Sequence, residues 1–400
     1  MNSVNPDVSG TGCEVHPPAT TSITDLDLDH LTGFVRELGW EDYRARQIFS
    51  WLWQKGASDW GTMTNLSRAA RDQLQRHAEI RWPSLVRVQA GSDGTRKLLF
   101  ALADGQTIES VYLPDRPDLA AHPAAPGRGK SVQGPELTLW SRRTVCVSTQ
   151  VGCALGCRFC RTGRMGFRRN LSPGEIASQV LLTAQYAQVN LTNVVMMGMG
   201  EPLLNLDAVL SAGAIINSDL GLRIGARHIT ISTAGIPEGI RRLGEHPRQF
   251  KLAVSLNAAD DQKRSRLMPI NKRYPLSDLL AAVRDYVRRT RKRVTFEYVV
   301  MPGLNDSSED ARNLIRLLRG IPCKINLIPL NPITSPPEGS KARRRDITSQ
   351  VRPAAHDRDV SLCVERFAAL LYSDLPAVTI RRSRGVDIMA ACGQLAAHAS

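Results

Sequence analysis

The stretch Cys146-Val-Ser-Thr-Gln-Val-Gly-Cys-Ala-Leu-Gly-Cys-Arg-Phe-Cys160 holds four of the eight cysteines of this 400-residue chain. Cys153, Cys157 and Cys160 form a C-x3-C-x2-C pattern directly after an apolar run at 145–150 that is typical of a buried strand. Small secreted domains held by disulfides are short and dense in cysteine, and this chain is neither. The clustered cysteines therefore indicate a metal or redox site.

Three thiolates leave a metal site one protein ligand short. A structural zinc site requires four ligands, and no His or Cys follows just downstream, so zinc is the weaker alternative. An iron–sulfur cluster of the 4Fe–4S type held by three thiolates keeps one iron free for another ligand. Gly152 and Gly156 allow the loop to wrap tightly around such a cluster.

Short apolar runs alternate with helical stretches from residue 145 to residue 330. The runs occupy residues 145–150, 193–199, 228–233, 252–256, 294–300 and 325–330. One helix start is explicit, because Ser172, Pro173 and Glu175 form a capping box with proline at the first helical position. The pattern predicts an α/β fold, a partial (β/α)6 barrel with a parallel sheet, whose functional groups follow the C-terminal ends of the strands.

The rest of the chain predicts further segments around this α/β domain at 142–397. Residues 1–25 read as a disordered tail, 26–80 as a small helical accessory domain that binds RNA, and 81–141 as short strands with a Pro/Gly-rich linker. The tryptophans of the helical domain suit either base stacking or a local core. A basic loop at 332–360 is either a phosphate contact or a plain solvated insertion.

Charge and hydropathy limit the partners and the compartment. The chain has 52 Lys and Arg against 38 Asp and Glu, a formal charge of +14. Such a surplus favours a polyanionic partner, most often a nucleic acid, although a basic protein without one has the same composition. No apolar run approaches a membrane span, and the first 25 residues carry no signal pattern. We therefore expect a cytoplasmic protein without a membrane partner.

The cysteine loop after the first strand of a six-unit α/β chain resembles the radical S-adenosylmethionine superfamily. Further motifs are similar to the dual-specificity RNA adenine carbon-2 methyltransferase (RlmN) family, and they span roughly residues 26–397. These motifs are Tyr43-Arg-Ala-Arg-Gln47, Val145-Cys-Val-Ser-Thr-Gln150, Gly166-Phe-Arg-Arg-Asn-Leu171, Met197-Gly-Met-Gly-Glu-Pro202, Ile231-Ser-Thr-Ala-Gly235, Met268-Pro-Ile-Asn-Lys272, Lys324-Ile-Asn-Leu-Ile-Pro329 and Ala391-Cys-Gly-Gln-Leu395.

The resemblance implies a cofactor set and its ligands. It implies one 4Fe–4S cluster on the three clustered cysteines, with S-adenosylmethionine on the free iron and two molecules of it used per turnover. An electron donor such as flavodoxin or ferredoxin is implied as a partner. The positions that match the family's cofactor contacts are Gly200, Glu201, Ser232, Ser255, Leu256, Asn257 and Asn331. They follow the ends of successive predicted strands, on one rim of the barrel.

The resemblance also implies a reaction. The substrates are an adenosine of 23S rRNA in the peptidyl transferase centre and an adenosine beside the tRNA anticodon, each methylated at carbon 2 by a radical route. Cys392 matches the cysteine that carries the methyl group, Cys146 matches the cysteine that resolves the protein–RNA adduct, and Glu109 matches the proton acceptor.

Two alternatives stay open on the sequence. One is a sister enzyme that methylates carbon 8 of the same rRNA adenosine. The other is a non-catalytic RNA-binding protein with a structural metal site, which gives Cys392 and Cys146 no role. The chain departs from the family pattern in longer segments between 113 and 146 and between 331 and 392, and Asn257 stands where many relatives have His.

Overall fold

A computed structural model describes residues 20–115, 142–331, 357–375 and 377–397. Within these residues the strands are β1 Thr21–Ser22, β2 Ala78–Glu79, β3 Ser84–Ala90, β4 Arg96–Ala101, β5 Thr107–Pro114, β6 Arg143–Cys146, β7 Gln150–Gly152, β8 Phe167–Asn170, β9 Asn193–Met196, β10 Ile229–Thr233, β11 Lys251–Ser255, β12 Val294–Val300, β13 Cys323–Pro329 and β14 Val378–Ile380. The α-helices are α1 Leu28–Glu37, α2 Tyr43–Trp53, α3 Arg68–His77, α4 Arg161–Met165, α5 Pro173–Ala187, α6 Leu206–Asn217, α7 Pro237–Glu245, α8 Asp261–Leu267, α9 Leu276–Thr290, α10 Ser308–Leu318 and α11 Asp357–Ala369.

Ten of the strands form one open sheet in the order β14-β13-β12-β11-β10-β9-β6-β5-β4-β3. The strands from β6 through β9–β13 to β14 run parallel. The six predicted apolar runs correspond to β6 and β9–β13, because the parallel strands of an α/β fold are rich in apolar residues. The predicted α/β fold with six β/α units is confirmed, and the predicted capping box of α5 is formed.

The strands at 84–114 belong to the same sheet as the parallel strands. β3, β4 and β5 pair antiparallel, and β5 pairs with β6, so that Tyr112 lies beside Val145. The sequence predicted these strands and the turns at Gly94 and Gly105, where φ is +81° and +77°. It did not predict their pairing with the catalytic sheet. The linker predicted from Pro114 to about Ser141 starts too early, since Pro114 ends β5, and its remainder at 116–141 lies outside the described residues.

Ordered structure begins before the predicted boundary at residue 25. Residues Thr21–Ser22 pair with Ala78–Glu79, Ile23 is fully buried, and Asp25 accepts a hydrogen bond from the Gly174 N–H at the start of α5 (3.1 Å). The predicted tail therefore extends too far by at least six residues, because these side chains pack on the catalytic domain. Residues 1–19, also predicted as tail, lie outside the described residues.

The helical unit that contains α1–α3 shares its core with the catalytic domain. Phe49 and Trp53 of α2 belong to the same buried cluster as Ile176 of α5 and Phe250. Trp53 packs edge-on against Trp82, with ring centroids 5.2 Å apart. The core interpretation therefore holds for Trp53.

No helix in the described ranges is long and apolar enough to cross a membrane. Most of the predicted basic loop, residues 332–356, lies outside those ranges.

Candidate active site

The predicted cluster cysteines lie on the loop 153–160, at the C-terminal edge of the parallel strands. Gly152 shapes the entry to this loop. Its φ is +73°, and a Cβ atom there would lie 1.8 Å from the Gly166 carbonyl oxygen, so only glycine fits. The same oxygen accepts a hydrogen bond from the Cys153 N–H (3.0 Å), which fixes the first thiol of the pattern.

The donor set fits an iron–sulfur cluster. Cys153, Cys157 and Cys160 are free and partly exposed, and they line a single cavity. Within the described part of the chain no three metal-ligating side chains converge on one ion, whereas a 4Fe–4S cluster offers each thiolate its own iron. Burial, followed by the charges of Cys160 and Cys153, raises the pKa of the Cys157 thiol well above its ordinary value. Positively charged iron would remove this obstacle by holding the thiols deprotonated.

One cavity of about 160 Å³ lies at this edge of the sheet. Six of the seven predicted cofactor residues line it together with the three cysteines: Gly200, Glu201, Ser232, Ser255, Asn257 and Asn331. The seventh, Leu256, does not line it. Its side chain is fully buried, its N–H donates to the Glu297 carbonyl oxygen (2.9 Å), and its own carbonyl oxygen accepts from Arg264 (3.0 Å).

Gly200 and Glu201 form the turn after β9. Gly200 has φ of +102°, and a Cβ atom there would lie 2.6 Å from Cβ of Gln150. The Glu201 side chain is almost fully buried and accepts hydrogen bonds from the N–H groups of Leu203 (3.0 Å) and Ala234 (2.7 Å). Burial raises its pKa to about 6. A carboxylate has about four acceptor positions, so Glu201 retains capacity for a donor in the cavity.

Two asparagines shape the opposite rim. Asn257 adopts a left-handed conformation with φ of +59°, and its Oδ1 accepts a hydrogen bond from the Val299 N–H (2.9 Å). Asn331 follows β13, and its Nδ2 donates to the carbonyl oxygen of Cys392 (3.1 Å). Asn331 therefore joins the rim of the cavity to the segment that carries the predicted methyl carrier.

The structure brings the two predicted reactive cysteines together, although 246 positions separate them in the chain (392 − 146). Cys392 lines the cavity and is exposed to it, whereas Cys146 lies behind the wall at the end of β6, only 9% exposed. Burial and, to a smaller extent, the nearby Cys392 together raise the pKa of Cys146 to about 12. Arg381 interacts electrostatically with both sulfurs and opposes these effects.

Hydrogen bonds hold the C-terminal segment 390–397 against the start of α4. The Arg161 N–H donates to the Gly393 carbonyl oxygen and the Thr162 hydroxyl donates to the Leu395 carbonyl oxygen, both at 2.7 Å. Arg161 and Thr162 belong to α4, which directly follows the cluster loop, so the position of Cys392 is set by the element next to the cluster cysteines.

Glu109 lies close to this segment but does not line the cavity. One carboxylate oxygen is 3.3 Å from Nζ of Lys97, and the other accepts a hydrogen bond from the Ala396 N–H (2.8 Å). Both Glu109 and Lys97 are buried. The predicted proton acceptor is thus a buried, paired carboxylate on β5 that contacts the backbone four residues after Cys392.

Sequence reasoning missed three charged residues of this site. Glu297 and Arg381 line the cavity, and the fully buried Arg264 joins two rim turns by donating to the carbonyl oxygens of Ala234 (2.6 Å) and Leu256 (3.0 Å). Arg264 lies four residues before the family motif that starts at Met268. Glu297 could have been found from the sequence, because a charged residue within an apolar strand is unusual. Nothing local in the sequence marked Arg381.

Comparison with known proteins agrees with this geometry. Residues 147–317 match the model of the radical SAM superfamily, and residues 21–80 match the ribosomal RNA large subunit methyltransferase N-terminal domain. Fold and site thus define an α/β radical SAM enzyme. Membership of that superfamily implies S-adenosylmethionine and a 4Fe–4S cluster as cofactors.

Relatives over the full length identify the family. The dual-specificity RNA methyltransferase RlmN of Syntrophus aciditrophicus is 43% identical over 94% of this chain and 97% of that protein, and the protein of the same description from Anaeromyxobacter dehalogenans is 42% identical over 95% and 92%. The crystal structure of a radical SAM methyltransferase from Sphaerobacter thermophilus has a TM-score of 0.77 and 42% identity, covering 94% of this chain and 100% of that one. The chain belongs to the dual-specificity RNA methyltransferase RlmN family.

Proposed function

We propose that this enzyme methylates carbon 2 of an adenosine in the peptidyl transferase centre of 23S rRNA and of an adenosine beside the tRNA anticodon. One observation carries the proposal. The three cluster thiols, the cofactor rim and Cys392 line a single cavity, with Cys146 directly behind it. A non-catalytic metal site gives no reason for two further cysteines to meet at the cluster.

Cys153, Cys157 and Cys160 would hold one 4Fe–4S cluster, and the rim at Gly200 and Glu201 would hold S-adenosylmethionine, with two molecules consumed per turnover. Once bound, the cluster and this cofactor would together supply the radical chemistry that removes a hydrogen atom. The protein contributes orientation and the exclusion of water.

Cys392 acts first as a nucleophile. The thiolate is the reactive form, and partial burial raises the pKa of Cys392 above its ordinary value while Arg381 opposes that effect. Arg381 therefore increases the thiolate fraction that takes a methyl group from S-adenosylmethionine. Loss of one hydrogen atom from the S-methyl group then allows the carbon to bond to carbon 2 of the adenine.

Cys146 and Glu109 complete the turnover. The radical adduct would pass one electron to the oxidised 4Fe–4S cluster, and Glu109 accepts the proton from carbon 2. The Cys146 thiolate attacks the Cys392 sulfur, a disulfide forms, and the S–CH2 bond breaks. Its electron pair stays on carbon, which takes up a proton to complete the methyl group, and an external thiol then reduces the disulfide.

The partners follow from the substrate. The helical unit offers an RNA contact where Nζ of Lys55 lies 3.5 Å from the ring centroid of the partly exposed Trp51, since such a pair suits stacked bases and phosphates. Flavodoxin or ferredoxin would supply electrons, and the reaction would take place in the cytoplasm, where both RNA substrates are found.

Nucleoside analysis by mass spectrometry tests the proposal, using 23S rRNA and tRNA from cells with and without this gene. We expect 2-methyladenosine to disappear from both RNAs in the deletion strain and to return on complementation with the wild type but not with Cys392→Ala. Loss of 8-methyladenosine instead would indicate the sister activity. Unchanged RNA in the deletion strain would favour the non-catalytic alternative.

A further inference from the structure

The concave face of the parallel sheet is open to solvent below the cavity. Ser232, Ser255 and Glu297 line the cavity, and side chains two positions earlier on a strand point to the same face. Of the positions on this face nearer the N-terminal ends of the strands, Ala253 of β11 is fully buried and most others are accessible, while the alternate positions are buried. The accessible ones include Thr230 of β10, Lys251 of β11, Thr295 of β12 and Lys324 of β13.

Five cations gather at the N-terminal edge of this face. Three of them, Arg142, Arg227 and Arg293, lie just before β6, β10 and β12. The other two are Lys251, the first residue of β11, and Lys324, the second residue of β13. Register sets Lys251 beside Thr230 and Lys324 beside Thr295. We call these five residues the N-terminal cationic cluster.

The members of this cluster lie close enough to repel one another. Burial and then the charges of Arg142, Arg293, Lys324 and Arg227 lower the pKa of Lys251. Burial lowers the pKa of Lys324 as well, the charges of Arg142, Arg293 and Arg381 act in the same direction, and Glu297 opposes them. None of the five forms an ion pair with a residue in the described ranges. Such repulsion is relieved by an external anion.

A short polar path joins the cationic cluster to the cavity. Lys324 is two residues before Asn326, a step of about 6.6 Å along a parallel strand. The Asn326 Nδ2 donates to Oε1 of Glu297 (2.9 Å), and Glu297 lines the cavity with Arg381 and Cys392. Oε2 of Glu297 is buried and has no hydrogen-bond partner in the described structure. It is therefore an unpaired acceptor on a residue that lines the cavity.

We propose that the concave face of β10–β13 is the RNA-docking surface, with phosphates of the substrate strand on the N-terminal cationic cluster and the target nucleotide extended along the polar path into the cavity. An enzyme that modifies a base must take it out of the stack, and cations beside the path hold the backbone while the base enters. Glu297 Oε2 accepts a hydrogen bond from an N–H or O–H group of that nucleotide. This inference rests on the proposed RNA substrate.

The test compares two triple variants of the reconstituted holoenzyme that remove the same charge. Lys251→Gln, Arg293→Gln and Lys324→Gln are combined in one protein. The control combines Arg284→Gln, Arg312→Gln and Arg319→Gln, which are exposed on or after the outer helices α9 and α10. The dissociation constant for a transcript of the peptidyl transferase centre is measured over a range of salt concentrations. Formation of 5′-deoxyadenosine without RNA reports correct folding and cofactor loading.

We expect the first variant to bind the transcript at least tenfold more weakly, with the salt slope reduced by about 2, since each single-strand phosphate contact contributes about 0.7. The control variant should keep the wild-type slope. Equal slopes in wild type and first variant, or equal losses in both variants, would overturn the proposal.

Two further outcomes are separated in advance. If the first variant fails to load its cofactors, Lys324→Gln alone is measured. Its salt slope should fall by about 0.7, and an unchanged salt slope would contradict the proposal. Absence of transcript binding and methylation in the wild type would reject the proposed RNA substrate itself, and with it this docking surface.

Discussion

The Glu201 carboxylate illustrates how burial sets the chemistry of one residue. Its raised pKa, about 6, means that it is charged at neutral pH and takes up a proton as the pH falls through 6. We expect the dissociation constant for S-adenosylmethionine to rise as the pH of the holoenzyme solution falls from 7 to 5. Glu201→Gln should bind the cofactor about tenfold more weakly at pH 7, as expected for the loss of a charged acceptor worth about 1.5 kcal/mol, and should lose the pH dependence. Calorimetry under anaerobic conditions measures both, and a wild-type affinity that is constant across this range would contradict the role.

Arg381 gives a second prediction at the scale of a residue. The raised pKa of Cys392 keeps most of its thiol protonated near neutral pH, so methylation of Cys392 should accelerate as the pH increases. Arg381→Met removes the opposing positive charge. The rate of Cys392 methylation should then rise only at higher pH, and at pH 7 it should be at least tenfold slower than in the wild type. Arg381→Lys should recover part of the rate.

The neighbouring exposed arginine provides the matched control for that measurement. Arg382→Met changes the same charge one position away and should leave the profile of Cys392 methylation unchanged. Peptide mass spectrometry after timed quenching gives the rates. A profile that shifts equally in both variants would mean that overall charge, and not the position of Arg381, controls the thiol.

The residues that sequence reasoning could find are those whose spacing is local. Cys153, Cys157 and Cys160 were read directly from their pattern, and the structure places them on one cavity. Cys146 and Cys392 were linked only by family resemblance, because no local rule connects positions so far apart. Arg381 and Glu297 were missed because their role depends on strand register.

At the scale of elements, the C-terminal segment depends on strands and loops far from it in sequence. It contacts α4, next to the cluster loop, through the Thr162 hydroxyl and contacts β5 through Glu109. Thr162→Val keeps the shape but leaves the Leu395 carbonyl oxygen without its partner, which costs about 1–3 kcal/mol. We expect unfolding in urea at lower concentration and slower methylation of Cys392, with cofactor cleavage less affected.

Thr183 offers a matched control for this substitution. Its hydroxyl is buried in α5 without a hydrogen-bond partner in the described structure. Thr183→Val should therefore be neutral or slightly stabilising, because replacing an unpaired polar group by an apolar one removes a desolvation cost. If both variants lose the same stability, the Thr162 hydrogen bond is not what holds the segment.

The elements that could be predicted are those with a strong apolar period. The helix at Tyr43–Trp53 and the six parallel strands were visible in the sequence, with bounds that differ from the structure by a few residues at most. The pairing of β3–β5 with the catalytic sheet and the short pair β7–β8 were not predicted. Antiparallel pairing depends on partners distant in sequence, and three- or four-residue strands carry little pattern.

At the scale of the whole molecule, the N-terminal unit and the catalytic domain pack around one shared hydrophobic core. The Gln54 side chain donates to the Asp219 carbonyl oxygen (2.9 Å), the Ser211 hydroxyl lies 3.1 Å from the Asp27 carboxylate, and α2 contributes to the shared core. The sequence predicted a separable accessory domain at 26–80. The shared core follows from tertiary contacts, which composition does not reveal.

Removal of residues 20–80 should therefore destabilise the whole chain. Several buried side chains would be exposed, each contributing ~1.5–3 kcal/mol, and we expect the melting temperature to fall by at least roughly 10 °C and cofactor loading to fail. Calorimetry of the wild type should show a single transition. A deletion variant that keeps the wild-type melting temperature and still cleaves S-adenosylmethionine would show instead that the unit is separable.

The central claim is that Cys392 carries the methyl group and Cys146 resolves the protein–RNA adduct. Trapping this adduct tests the claim most directly. Each variant is incubated anaerobically with labelled 23S rRNA transcript, S-adenosylmethionine and reductant, and is then separated on a denaturing gel. Cys146→Ala keeps the carrier but lacks the thiol that attacks its sulfur, and a thioether does not break without such a nucleophile. It should accumulate a band that carries both protein and RNA and is removed by ribonuclease, whereas Cys392→Ala should give no such band. Full turnover by Cys146→Ala, or a cross-link from Cys392→Ala, would contradict the assignment.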